Sequence, residues 1–124
     1  MRDRAPLYRR LGGEAVLHAA VEDFSRRVQA APELSPFFQG VALGPWKGRH
    51  LKFLLAIFDG PQDYDLRRLG EAHARLSLTL KDFYAVSDHL VAALAAVGAE
   101  EDAIAEAVDR LEPLAKEIVR NTRA

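Results

Sequence analysis

The sequence predicts an all-α domain, and three observations predict it. Apolar residues recur three and four positions apart along most of the chain. No segment alternates with a period of two over the length of a strand. Alanine, the strongest helix former, is abundant. A chain of 124 residues suits one domain, expected to occupy 1–124, and a hydrophobic share of 49% is enough to build a core.

The elements follow in order. Gly12 and Gly13 break the chain before a first helical pattern. Val16, Ala20, Val21, Phe24 and Val28 then share one face. Pro32 and Pro36 end that helix at a tight corner, with Phe37 and Phe38 directly behind it. A second helix is expected from about Trp46 to Phe58, with Trp46, His50, Phe53, Leu54 and Ile57 on one side. Asp59, Gly60 and Pro61 stop it. Residues 62–69 read as a polar loop, and a short helical segment around Gly70 to Leu76 carries His73. Thr79 with Asp82 has the form of a capping box. The helix it opens is expected to bury Leu80, Phe83, Val86, Leu90, Leu94 and Val97 and to end at Gly98. A last helix presents Ile104, Val108, Leu111, Leu114 and Ile118, with a kink expected at Pro113. Periodicity alone leaves two architectures open, a four-helix bundle and a compact globin.

Composition narrows the chemistry. There is no cysteine, which excludes disulfides, thiolate catalysis and Cys-ligated zinc or iron–sulfur sites. The formal net charge of -1 argues against a broad nucleic-acid surface. The N-terminal stretch does not resemble a signal peptide and no apolar run approaches a membrane span, so a soluble cytoplasmic protein is expected. HExxH, GxSxG, a phosphate-binding loop and a dinucleotide fingerprint are all missing. Glu22-Asp23 and Glu100-Glu101 are adjacent in sequence and do not converge on a helix, so they are discounted as acid–base pairs.

Four histidines remain. His18 reads as surface, and His89 has no evident cofactor partner. His50 shares an apolar face with Trp46 and Leu54, where an imidazole must find a partner or face a cavity. The plain alternative is a hydrogen-bonded core or edge histidine. His73 lies between Leu69 and Leu76 at helical spacing, either as a half-covered helix residue or as a metal ligand.

Six short patterns in fixed order resemble the truncated haemoglobin family, and its first subgroup in particular. They are LYRRLGG at Leu7 to Gly13, VEDFSRRV at Val21 to Val28, LSPFFQGV at Leu34 to Val41, FDGPQDY at Phe58 to Tyr64, EAHARLSL at Glu71 to Leu78 and KDFYAVSDHLVAAL at Lys81 to Leu94. Each is modest alone; the order and separations over Leu7 to Val119 make the resemblance specific. It implies a two-over-two helical sandwich around haem b, iron protoporphyrin IX. It makes His73 the proximal iron ligand and Phe38 the ring packed against the porphyrin, and a neutral imidazole suits haem iron. Phe53, Leu54, Ile57, Leu69, Leu78, Phe83 and Val86 would line the pocket. Arg49 would meet a haem propionate, with Arg67 and Tyr64 as weaker candidates.

The distal side departs from the family pattern. Ser25 stands where a tyrosine is common, His50 where glutamine is frequent, and Trp46 where glutamine or leucine is usual. Leu66 replaces the glycine after Tyr64-Asp65. The distal set is therefore Ser25, Trp46 and His50. Serine is too short to copy the tyrosine's reach, which leaves His50 as a hydrogen-bond donor or as a second iron ligand. Trp46 would gate, donate or simply fill space. The implied function is binding of oxygen, nitric oxide or carbon monoxide at iron. The alternatives are a nitric oxide-detoxifying or peroxidase-like haem enzyme, for which a reductase or other electron donor would be needed, a six-coordinate redox or sensor globin, and a globin-fold interaction module without haem.

Overall fold

A computed structural model describes residues 5–59 and 79–116. Its elements are α1 (Leu7–Arg10), α2 (Glu14–Ala30), a 3-10 turn (Ser35–Phe38), α3 (Leu43–Ile57), α4 (Leu80–Ala96) and α5 (Glu101–Leu111). No strand occurs among the described residues. Helix α2 is the hub, packed along α4 on one side and against α3 on another, while α5 packs on α4 and α1 on α5.

One of the two glycines before α2 is required by a close approach. Gly12 has φ of 128°, and a Cβ placed there would lie 2.6 Å from a methyl carbon of Val16, inside contact distance. Only glycine lets the chain pass so close to the first turn of α2. Helix α2 buries Ala20, Val21, Phe24 and Val28 as expected, and also Leu17 and Ser25. Ala31 turns to extended backbone, and Pro36 enters the 3-10 turn near its start.

Helix α3 begins three residues before the expected Trp46. The run Gly44-Pro45 looks like a breaker, yet Pro45 falls in the first turn, where backbone N–H groups have no intrahelical partner to lose. The Trp46 N–H then donates to the Ala42 carbonyl at 3.1 Å.

The capping box at α4 is complete. Asp82 N–H donates to Thr79 Oγ1 at 3.1 Å, and Thr79 N–H donates to Asp82 Oδ2 at 3.0 Å. The buried face of α4 is Phe83, Leu90, Ala93 and Leu94. Leu80 corrects the expectation: it is 49% exposed. It is the first residue of α4, one turn before the buried stretch begins at Phe83. Val86 and Val97 are half-buried at the edge of the same face. Gly98, with φ of 93°, follows the helix as expected.

The last helical pattern is interrupted rather than kinked. Helix α5 stops at Leu111, Pro113 lies in a turn, and helical backbone resumes over 114–116. Leu114 still reaches the core. Ile118, the polar loop at 62–69 and the short segment carrying His73 lie outside the described residues. Among the described residues, no helix is long and apolar enough to cross a membrane.

Candidate functional site: a half-buried imidazole in an aromatic wall

Four-residue spacing along α3 puts Trp46 and His50 one turn apart on the face turned to α2. There they meet Phe24, which is 1% exposed. The His50 ring lies 4.9 Å from Phe24 and 5.1 Å from Trp46, nearly parallel to both, at 9° and 10°. Phe24 and Trp46 are themselves 6.0 Å apart at 18°. Three similar centroid distances describe a triangle of almost parallel rings rather than a column. Phe38 closes edge-on against Trp46 at 5.1 Å, and Phe53 tilts toward His50 at 5.9 Å. His50 Nε2 is shielded from solvent. The result is an apolar, aromatic wall with one nitrogen base set into it.

The flanking residues divide into those at the wall and those apart from it. Leu54 and Phe53 are buried on α3, and Ile57 is half-buried on the same helix. Phe83 is buried on α4 and meets Tyr84 edge-on, while Val86 is half-buried. Ser25 is buried, but its Oγ accepts a hydrogen bond from Gln29 Nε2 at 2.8 Å, and the same amide donates to the Ser25 carbonyl at 2.9 Å. Arg49 is exposed. His18 is exposed, as expected, and His89 is half-buried with Nε2 4.0 Å from Glu33. His73, Tyr64, Arg67, Leu69 and Leu78 lie outside the described residues.

A groove of about 300 Å³ opens between α2 and α3, with Val21 and Leu51 as its apolar lining and Gly44 and Gly48 leaving it wide. Lys47 spans it, its Nζ 3.0 Å from Glu22 Oε1. That hydrogen bond holds the Glu22 carboxyl below its ordinary range, against a smaller opposing effect of burial. The ion pair ties α3 to α2 next to the ring cluster. Among the described residues no cluster of three or more acidic or histidine side chains could hold a bare metal ion.

The family model for bacterial-like globins matches residues 6–120. The group 1 truncated hemoglobin GlbN of Mycolicibacterium paratuberculosis is 35% identical over 92% of this chain and 84% of its own length. The chain belongs to the truncated haemoglobins.

Solved structures support the same placement. The truncated hemoglobin of Tetrahymena pyriformis in its Fe(III) form superposes with a TM-score of 0.87 at 29% identity, covering 93% of this chain and 98% of the other. The 2/2 hemoglobin of a Synechococcus species, in the cyanomet state with covalently attached heme, superposes with a TM-score of 0.84 at 25% identity, covering 94% and 99%.

Within this truncated haemoglobin, the structure brings together Trp46, His50, Phe53 and Phe38 from the residues expected at the site. It adds two that the sequence reading did not assign to the site. Phe24 reads as ordinary core by its spacing on α2, yet it backs the rings of both Trp46 and His50. Gln29 carries no sequence signal beyond standing one helical turn after Ser25.

Proposed function

We propose that this truncated haemoglobin binds haem b and takes up a diatomic gas at the iron, with His73 as the proximal ligand and His50 facing the gas. The observation that carries the reading is the half-buried imidazole of His50, its Nε2 shielded from solvent, held among Phe24, Trp46 and Phe53. Family membership supports the same cofactor. When bound, haem would supply an iron centre able to hold oxygen, nitric oxide or carbon monoxide reversibly. Phe38, Phe53, Leu54 and Phe83 would exclude water from the macrocycle. Trp46 would close the solvent side of His50 and hold its ring plane, and a proton on the His50 nitrogen nearer the gas would serve as hydrogen-bond donor. Ser25, already engaged by Gln29, would take no direct part. Arg49, Arg67 and Tyr64 would meet the propionates. Catalytic turnover such as nitric oxide removal would further require an electron-donating partner.

One observation favours a second reading. An imidazole with a shielded Nε2 on the distal helix is also the chemistry of a second axial ligand. Absorption spectra of the haem-reconstituted protein, ferric and ferrous, separate the two. The proposal expects His73→Ala to remove the axial histidine signature and His50→Ala to leave the coordination number unchanged. A low-spin six-coordinate wild type that His50→Ala converts to five-coordinate would replace the donor role by self-ligation. Absence of a specific Soret band would overturn the haem reading altogether.

A further inference from the structure

The distal helix α3 does not close its own C-terminal end. The last carbonyls of a helix have no intrahelical donor and need partners from elsewhere. Leu54 O accepts the Phe58 N–H at 3.0 Å, which is local. Two carbonyls farther along accept from distant elements. Ile57 O takes Arg110 Nη1 of α5 at 2.9 Å, and Phe58 O takes the Tyr8 N–H of α1 at 2.8 Å.

The chain then reverses at Asp59, whose φ of 68° lies in the left-handed region that few residues other than glycine adopt. Its carboxylate meets the Arg110 fork with both oxygens, at 3.1 and 2.9 Å. This two-point geometry fixes direction as well as distance. The Leu7 N–H adds a further hydrogen bond to the same carboxylate. Arg110 Nη2 also lies 3.3 Å from Glu106 Oε2, and the other Glu106 oxygen accepts from Arg10 Nη2 at 2.8 Å. Two cations and two carboxylates from α1, α5 and the end of α3 thus form one continuous network.

We propose that Asp59 and Arg110 are positioning residues for the candidate gas site: their ion pair latches the end of α3 and so sets where Trp46 and His50 stand. A helix is a stiff rod, and Ile57 is seven residues, about 10 Å, beyond His50 on the same face. A shift or rotation at the latched end is carried to the ring cluster. Partly exposed ion pairs contribute little to stability one by one, so geometry, more than energy, is what this network supplies. The inference rests on the proposed role of His50, and its test is chosen so that the two can fail separately.

Trp46 is the single tryptophan of the chain, so its near-ultraviolet circular dichroism and emission report on the cluster without haem. The test compares wild type with Asp59→Asn, Arg110→Met and Arg110→Lys. Asparagine tolerates the left-handed backbone and removes only the charge; lysine keeps the charge and loses the fork. With far-ultraviolet helix content unchanged, Asp59→Asn and Arg110→Met are expected to alter the Trp46 signals of the haem-free protein, Arg110→Lys less so. In the haem-loaded protein the same variants are expected to change the ligand dissociation rate by roughly threefold or more, without any change in the residues around the ligand. Lowered melting temperatures with wild-type Trp46 signals and dissociation rates, measured well below melting, would overturn the proposal. A protein that fails to take haem but shows the altered Trp46 signals would sink the haem function and keep the latch.

Discussion

Replacing Phe24 by leucine tests whether the ring triangle is an energetic unit. The side chain is 1% exposed and supports two ring contacts, to His50 at 4.9 Å and to Trp46 at 6.0 Å. Leucine keeps an apolar side chain in the space and removes both contacts between rings. An aromatic pair contributes roughly 0.5–1.5 kcal/mol beyond the area it buries. Two such pairs give an expected destabilisation of about 1–3 kcal/mol, toward the lower end if the neighbours relax. Phe24→Ala, which also opens a cavity, is expected to cost about 3–5 kcal/mol. Urea unfolding of the haem-free protein measures both, followed in parallel by Trp46 emission and far-ultraviolet circular dichroism. The near-ultraviolet band of Trp46 should weaken in Phe24→Leu before any unfolding, because its parallel neighbour is gone. A loss below about 0.5 kcal/mol with an unchanged Trp46 band would refute the reasoning, since it would mean that the rings do not hold one another.

Two further substitutions test the local devices that frame the site. Thr79→Ala removes the hydroxyl that accepts the Asp82 N–H and is expected to cost about 1 kcal/mol in chemical denaturation; no measurable loss would mean that water replaces the cap without cost. Gly12→Ala places a carbon 2.6 Å from Val16 on backbone with φ of 128°, and a loss of about 1–3 kcal/mol is expected in thermal unfolding. A neutral result there would show that the turn before α2 can rearrange.

The legible parts of the fold are those with local causes. The capping box at Thr79, the stop at Gly98 and the corner at Pro32 and Pro36 each act within one helical turn of the residue that shows them. The core faces of α2 and α4 follow from three-and-four spacing, with Leu17 added and Leu80 removed. Leu80 has the right residue type and the right face, but it stands before the stretch of α4 that meets a neighbour. The start of α3 was less legible, because Gly44-Pro45 breaks a helix interior and is tolerated in a first turn. Pro113 shows the opposite case: beyond the first turn of α5, it ends the helix.

The site divides along the same line. His50 and Trp46 are singled out by sequence, as a titratable ring on an apolar face and as its neighbour one turn away. Phe24 is indistinguishable from core by its spacing, and only the approach of α3 to α2 turns it into the support of the Trp46 and His50 rings. Ser25 is legible as a departure from the family pattern, whereas its engagement with Gln29 depends on rotamers. His73, expected as the proximal ligand from the resemblance of its segment, lies outside the described residues and belongs to the proposal.

By itself the sequence determined the helices, their main stops and the family of folds they enter. Those features arise from hydrogen bonds and side-chain spacing within a few residues of one another. Tertiary structure alone decided which ends are tied together. Glu22 meets Lys47 across 25 residues, and Arg110 reaches Asp59 across 51. Such pairs depend on how helices cross and where each stops, and no local pattern of residues encodes either distance.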